Sequence, residues 1–121
     1  MLTAVTGINW GDEGKGRVVD LLSDHADYVV RYQGGNNAGH TVVTDKGKFV
    51  LNLLPSGILH PEVVCVLGNG MVIDPDHLRH EIEMMRYMNV KISPENLKIS
   101  EKATVCMPFH AVSYTHLRAH E

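Results

Sequence analysis

Two glycine-dense polar loops, at residues 11–17 and 34–41, divide the first third of this 121-residue chain. Each loop directly follows a short apolar run rich in β-branched residues, at residues 2–8 and 28–32, which is the pattern of a buried strand. Between the loops, a helix is predicted from about Lys15. Its apolar face comprises Val18, Val19, Leu21 and Leu22, and Ser23, Asp24 and His25 mark its end. The order strand, loop, helix, strand, loop predicts a βαβ unit and therefore a parallel sheet.

Both loops are expected to open at one edge of that sheet. A right-handed crossover makes the two strands parallel, and open parallel sheets bind ligands at the carboxyl ends of their strands. Asp12 and His40 are therefore predicted to face a single site, although they lie far apart in the sequence. The first loop also leads into a helix. The free N–H groups and dipole of that helix favour a bound phosphate, to which Lys15 adds a positive charge.

The remaining sequence predicts scaffold around this unit. Residues 41–44 and 49–53 are predicted to form a hairpin, and residues 63–67 a central strand that ends in a loop at 68–70. Asp74 has the position of a helix cap. The helix that follows begins with Pro75 and places Leu78, Ile82 and Met85 at helical spacing. The predicted fold class is α/β, a mostly parallel sheet with crossover helices.

Composition excludes two classes of partner. The net charge of −3 and pI near 6.2, with no run rich in Lys and Arg, argue against nucleic-acid binding. The longest apolar stretches are only strand-sized, and the first residues lack the basic start and long apolar core of a signal peptide. We therefore expect no membrane association and a cytoplasmic location.

The first loop is related to a P-loop but departs from it. A Walker A motif needs Gly, four residues, and then Gly-Lys-Ser/Thr, whereas Asn9 stands five positions before Gly14, and Gly16 replaces the hydroxyl residue. Asp12 lies inside the loop and is a natural ligand for Mg²⁺, which prefers hard oxygen donors. A P-loop-NTPase-like arrangement is thus expected. A P-loop phosphotransferase or GTPase, or a non-catalytic nucleotide-binding module that folds alone, stays open as an alternative.

Four segments of the chain, taken together, resemble one known family. Residues 9–17 (NWGDEGKGR), 30–41 (VRYQGGNNAGHT), 54–58 (LPSGI) and 68–70 (GNG) occur in the order found in adenylosuccinate synthetases, and the resemblance extends over about residues 2–111. Asn9 stands where the family commonly has Gln, and Arg17 where it commonly has Lys. Both differences keep the chemistry, since Arg17 still offers a cation to phosphate, although with fork geometry.

The resemblance implies a reaction in which GTP, IMP and L-aspartate give adenylosuccinate, GDP and phosphate, the first committed step from IMP to AMP. As the family implies, Asp12 removes the N1 proton of IMP, so that the 6-oxygen attacks the γ-phosphate and forms 6-phosphoryl-IMP. His40 hydrogen-bonds the transferring phosphoryl group as an acid, and Lys15 binds phosphate. The aspartate amine then displaces phosphate. A homodimer is implied for the full-length protein.

The resemblance also implies three overlapping sets of binding residues. GTP phosphates would be lined by Gly11, Asp12, Glu13, Gly14, Lys15, Gly16, Arg17, Gly39, His40 and Thr41. IMP would face Asp12, Glu13, Gly14, Lys15, Asn37, Ala38, Gly39 and His40. Mg²⁺ would be held by Asp12 and the carbonyl of Gly39.

The C-terminus departs from the family pattern. Family members continue after the position of Ala111 through a helix and a much longer chain, whereas residues 113–121 resemble the translation of a sequencing adapter. We therefore interpret residues 1–112 as the N-terminal part of a GTP- and IMP-binding catalytic domain, and residues 113–121 as a non-native tail. The resemblance implies that the guanine- and aspartate-binding residues and the later strands of the sheet lie beyond this chain. The sheet is therefore expected to be incomplete in this chain, and the chain alone is expected to be inactive.

Overall fold

The computed structural model describes residues 1–6, 14–37, 39–45 and 47–107. These residues contain two α-helices, six strands and one 3₁₀ helix at Ser56–Leu59. The α-helices are α1 (Lys15–Ser23) and α2 (Pro75–Tyr87). The strands are β1 (Tyr28–Gly34), β2 (His40–Thr44), β3 (Gly47–Leu51), β4 (Val64–Ile73), β5 (Leu97–Ile99) and β6 (Thr104–Val105). None of the helices in the described ranges is both long and apolar enough to cross a membrane.

The main sheet is parallel and centred on β4. Strand β1 runs along one edge of β4, with Tyr28 opposite Val64, and β5 and β6 follow each other along the other edge. Strands β2 and β3 form a separate antiparallel pair inside the connection from β1 to β4. Helix α2 lies in the connection from β4 to β5. This arrangement confirms the predicted α/β class, the parallel sheet and the hairpin.

Helix α2 begins where the sequence predicts. Asp74 is its N-cap, and one carboxylate oxygen accepts hydrogen bonds from the backbone N–H groups of Asp76 (3.0 Å) and His77 (3.2 Å). Leu78 and Met85 are buried, and Ile82 packs against the core beside them, as the helical spacing predicts. The other fully buried large side chains of this core are Leu51, Leu53, Leu54, Ile58, Leu67 and Met71.

The predicted first strand is wrong over its described part. Residues 1–6 form no strand, and Leu2 is 95% exposed, while residues 7 and 8 lie outside the described residues. An apolar β-branched run favours extended, buried backbone but does not supply a partner strand. Here β4 takes the central place, and its two edges are occupied by β1 and by β5 and β6.

Helix α1 has the predicted bounds but does not bury its apolar face. Val18 and Leu22 are each nearly half exposed and Leu21 more so, whereas Ser23 is fully buried. Helix α1 packs against the 3₁₀ helix instead. Nδ1 of His60, which directly follows the 3₁₀ helix, lies 3.2 Å from a carboxylate oxygen of Asp24. The face of α1 that packs against the 3₁₀ helix is therefore not the apolar face that the sequence predicts to be buried.

The predicted loop at residues 68–70 is also wrong, because β4 continues through it to Ile73. A Cβ atom at Gly70 would lie 2.5 Å from the carbonyl oxygen of Tyr32, and one at Gly68 would lie 3.2 Å from the Tyr32 Cα. The β1–β4 register shifts nearby, between Arg31 and Gln33. These glycines therefore mark a close approach at a bulge within a strand rather than a turn after it.

Candidate phosphate-binding site

The N-terminus of α1 has the electrostatics of an anion site. Gly14 caps the helix in the left-handed conformation (φ 74°), and a glycine offers no side-chain acceptor to the first N–H groups. The first turn has no acidic residue and instead carries Lys15 and Arg17. Cations here oppose the helix dipole, so a bound anion would stabilise both the charges and the helix end.

His40, the first residue of β2, brings the second loop to this helix end. A Cβ atom at Gly16 would lie 3.0 Å from Cγ of His40, so the imidazole rests directly against the first turn of α1. Nε2 of His40 is buried and has no hydrogen-bond partner among the described residues. A buried polar nitrogen without a partner is costly, and a ligand acceptor would satisfy it. The structure thus places His40 of the second loop against the start of α1.

The surroundings of His40 favour its neutral form. Burial, followed by the positive charge of Arg31, lowers the pKa of His40 below its usual 6.5, against the smaller opposing influence of the Asp20 and Glu81 carboxylates. A neutral imidazole still donates one hydrogen bond. An incoming phosphate would add negative charge beside the ring and raise the pKa again, which couples the charge of His40 to ligand binding.

A cavity of about 360 Å³ opens beside this contact. It is bounded by one face of α1 and by β2, and its lining is Gly16, Arg17, Asp20, His40, Thr41, Val42 and Val43. A larger hollow of about 510 Å³ lies elsewhere, between α2 and the ends of β5 and β6. We assign the site to the smaller cavity because His40 and the first turn of α1 line it, whereas the larger hollow is lined largely by apolar surface.

The contact between Gly16 and His40 explains the departure from a Walker A motif. A Ser or Thr at position 16 would place its Cβ 3.0 Å from Cγ and 3.1 Å from Cδ2 of His40. Such distances are shorter than ordinary van der Waals contacts, so the ring would have to move. The hydroxyl residue of a P-loop would therefore crowd this histidine position, which argues against the P-loop phosphotransferase alternative.

Sequence reasoning missed the polar groups that hold the second loop. Arg31 of β1 donates through Nη1 to the carbonyl of Asn52 and through Nη2 to the carbonyl of Gly35 (3.1 Å). Glu81 of α2 is buried and accepts hydrogen bonds from the backbone that follows β3. A signal for Glu81 was present, because it stands three residues after Leu78 and four before Met85, and therefore on the buried face of the helix.

The other predicted site residues divide into three groups. Lys15 and Arg17 lie exposed at the start of α1, next to the cavity that Arg17 lines. Asn37, Gly39 and Thr41 are exposed around His40. Outside the described residues are Gly11, Asp12, Glu13 and Ala38, so the predicted opposition of Asp12 and His40 stays a prediction.

A magnesium site is compatible with the donors at this edge. The carbonyl of the exposed Gly39 is a hard oxygen donor, and the chain supplies a carboxylate at Asp12. Within the described ranges no three His, Cys, Asp or Glu side chains come together as a metal-binding group.

The chain is similar to one family along almost its whole length. A sequence profile described as adenylosuccinate synthetase matches residues 4–118. The adenylosuccinate synthetase of Carboxydothermus hydrogenoformans is 58% identical over 104 residues, covering 86% of this chain and 24% of that protein. That of Caldanaerobacter subterraneus subsp. tengcongensis is 51% identical over 109 residues, covering 90% of this chain and 26% of that protein. The chain thus spans about a quarter of the length of these relatives.

Solved structures agree with the sequence comparison. A fully ligated adenylosuccinate synthetase from Plasmodium falciparum superposes with a TM-score of 0.81 at 39% identity, covering 93% of this chain and 26% of that one. A succinoaminodeoxyadenylate synthetase of cyanophage S-2L, bound to dGMP and to dATP as an energy donor, superposes with a TM-score of 0.66 at 28% identity. The match covers 85% of this chain and 29% of the phage protein.

Proposed function

Because the chain belongs to the adenylosuccinate synthetase family, we propose that residues 1–112 form the N-terminal part of the GTP- and IMP-binding domain of an enzyme that ligates IMP and L-aspartate. The full enzyme would consume GTP and commit IMP to AMP synthesis. It would act in the cytoplasm, and as a homodimer. The observation that carries the proposal is the contact of His40 with Gly16, since it joins the two loops of the family motif at a helix N-terminus beside a cavity.

The proposed reaction has two steps. The purine 6-oxygen is a poor leaving group. Asp12 would therefore take the N1 proton of IMP, and the 6-oxygen would attack the γ-phosphorus of GTP as the bond from that phosphorus to the β,γ-bridging oxygen breaks. The amine of L-aspartate then adds at the purine C6, and phosphate leaves with the former 6-oxygen. This order converts a hydroxide-like leaving group into phosphate.

His40 is suited to the phosphoryl group in this scheme. Its buried Nε2 has no partner among the described residues, and with its proton on that nitrogen the ring would stabilise charge that develops on transferring oxygens. Its lowered pKa makes the ring neutral before substrates bind, so the ring donates a hydrogen bond first. Phosphate charge then raises the pKa and favours proton donation as phosphate leaves. His40 would thus act as both donor and acid.

The GTP phosphates would lie along the start of α1. Residues 11–17 would line them, with Lys15 and Arg17 supplying positive charge, and residues 39–41 would approach from the other side. Mg²⁺ would be held by Asp12 and the Gly39 carbonyl, and when bound it neutralises charge on phosphate oxygens. Asn37, Ala38 and Gly39, together with residues 12–15 and His40, would face IMP.

The proposal is tested with a chimera in which residues 1–112 replace the corresponding part of the Carboxydothermus hydrogenoformans synthetase, the relative that is 58% identical. Adenylosuccinate formation is followed by its ultraviolet absorbance, with GTP, IMP and L-aspartate supplied together or with one left out. We expect turnover only with all three. A folded chimera without turnover contradicts the proposal, and turnover only with dGMP and an adenine nucleotide would move the assignment toward the phage enzyme's substrates.

Substitution of Asp12 separates a base from a structural residue. In the chimera, D12N is expected to lower kcat by roughly 10²–10⁴-fold, the usual effect of removing a general base. Because Asn keeps the shape of the side chain, IMP binding measured by calorimetry should change little. Near-normal kcat would contradict the role of Asp12. A non-catalytic nucleotide-binding module would instead bind nucleotide in both forms and turn over in neither.

A further inference from the structure

Glu81 is a buried carboxylate on α2 that the proposed reaction does not use. Its side chain accepts hydrogen bonds from three successive backbone N–H groups, those of Asn52 (3.0 Å, to Oε1), Leu53 (2.9 Å, to Oε2) and Leu54 (3.2 Å, to Oε1). Nε2 of His77, one turn earlier on α2, lies 3.0 Å from Oε2. A buried charge is tolerated only with such partners. The carboxylate therefore fixes α2 to the chain segment that leaves β3.

Asn52, the first residue of that segment, contacts residues on both sides of the second loop. Its backbone carbonyl accepts the hydrogen bond from Nη1 of Arg31, and its side-chain oxygen lies 3.2 Å from Nε2 of His77. Its side-chain nitrogen packs so closely on Gly39 that a Cβ atom there would lie 2.6 Å away. Asn52 therefore contacts both Gly39, the residue before His40, and Arg31.

Arg31 completes the connection to the loop. Its Nη2 donates a hydrogen bond to the carbonyl of Gly35 (3.1 Å), at the beginning of the polar segment that leads to His40. His40 itself is paired with Leu51, the residue directly before Asn52. The backbone on both sides of the loop is thus tied, through Arg31 and Asn52, to one carboxylate on α2.

We propose that Glu81 is a positioning residue for His40. By holding the backbone of Asn52, it fixes the contacts that Asn52 makes with Arg31 and with Gly39, the residue directly before His40. Glu81 touches neither substrate nor the transferring group in this arrangement and acts only through Asn52. The proposal rests on the function proposed above for His40. A role restricted to stability would require only that the three N–H groups find an acceptor, and would leave the geometry at His40 unchanged.

The test compares E81Q with a matched control, E83Q, in the chimera. Both remove one negative charge from α2, but Glu83 is exposed and Glu81 is buried. In E81Q the amide oxygen can still accept from Asn52 and Leu54, but the amide NH2 group faces the N–H of Leu53, so the segment from Asn52 to Leu54 should shift. We expect kcat to fall by about 10- to 100-fold, the usual effect of disturbing a group that orients an active-site residue. KM for IMP and GTP should change little, E81D should recover part of the rate, and E83Q should match the unsubstituted chimera.

A second variant keeps the proposal testable if E81Q does not fold. N52A leaves the backbone hydrogen bonds to Glu81 in place and removes only the side chain that packs on Gly39. It should also lower kcat while the unfolding temperature stays close to that of the unsubstituted chimera. If the folded variants keep normal kcat, with only a lower unfolding temperature, Glu81 is structural and the proposal is overturned.

A readout without substrates separates this proposal from the proposed function. The ring resonances of His40 are followed by NMR across pH in the chimera, E81Q, N52A and E83Q. Displaced resonances and a changed titration in E81Q and N52A, but not in E83Q, support positioning by Glu81 even if the chimera acts on other substrates. An unchanged His40 titration in both test variants overturns it. Absence of turnover in the unsubstituted chimera counts only against the proposed function.

Discussion

At the scale of single residues, His40 and Gly16 form one unit. The imidazole lies against the first turn of α1 because position 16 has no side chain, and its Nε2 is left buried without a partner among the described residues. The same contact removes the hydroxyl that a P-loop would use for Mg²⁺. A carboxylate elsewhere in the loop, Asp12, would then have to replace that ligand. The position of His40 and the absence of a hydroxyl at position 16 are thus both related to the contact between Gly16 and His40.

The first prediction concerns the charge of His40. Burial and Arg31 lower its pKa in the folded protein, so the unfolded chain binds more protons between the folded pKa and 6.5. The contribution of His40 to stability is therefore complete above about pH 6.5 and is lost as the pH falls through the folded pKa. NMR titration of the chimera should give a His40 pKa below 6.5, and the value should rise when GTP is added.

In H40Q the unfolding temperature should fall less between pH 7 and pH 5 than in the unsubstituted chimera. A His40 pKa above 6.5 without ligand would contradict the prediction, as would a pKa that does not change with GTP.

The residue types in the sequence predicted the phosphate site but not the hydrogen bonds that hold its second loop in place. Gly, Lys and His in two loops pointed to a phosphate site, and the structure brings Gly16 and His40 together. Arg31 was not recognised because a single arginine in a strand has no distinctive spacing. Its role depends on Asn52, 21 residues away, and that contact exists only after the hairpin folds back. Long-range hydrogen bonds of this kind cannot be predicted from local patterns.

At the scale of elements, β4 organises the molecule. Its apolar run predicted a central strand, but its glycines were interpreted as a terminating loop, since Gly-Asn-Gly is a common turn sequence. In the structure the strand continues, and the glycines allow the backbone of Tyr32 to approach at the bulge. Helix α2 was predicted accurately because its cap and its apolar spacing are both local signals. The partners of a strand, in contrast, lie far away in the sequence and are not encoded in a local pattern. For this reason residues 2–6 were wrongly predicted to form a strand.

The second element-scale consequence is a prediction for Gly70. In G70A the new methyl group would lie 2.5 Å from the carbonyl oxygen of Tyr32, and backbone cannot move aside as a flexible side chain can. The chimera should lose about 1–3 kcal/mol of stability, the usual cost of overpacking, measured by denaturant unfolding. G35A provides a graded comparison, because its Cβ would lie 3.3 Å from the carbonyl of Val72. A loss in G70A no larger than in G35A would contradict the bulge interpretation.

At the scale of the whole molecule, apolar side chains remain exposed on the main sheet. Val30 and Tyr32 on β1, Ile99 on β5 and Val105 on β6 are each about half exposed. The hollow between α2 and the ends of β5 and β6 is bordered by the same surface. Exposed apolar surface of this kind is typical of a face that packs against further protein. The chain also spans only 26% of the Caldanaerobacter relative, so a folded unit of this size lacks much of the family's scaffold.

The last prediction follows from that incompleteness. The chain alone is expected to give no measurable adenylosuccinate with GTP, IMP and L-aspartate, although it contains His40 and the start of α1. Phosphoryl transfer depends on holding the reacting groups in position, and effective molarities of about 10⁵–10⁸ M are lost when one reactant is not held. The guanine- and aspartate-binding parts are expected outside residues 1–112. The same assay run on the chimera is the control, since it adds those parts without changing the N-terminal residues. Turnover by the isolated chain would show that the site is complete within it, and would refute the division of the site between this segment and the remainder of the enzyme.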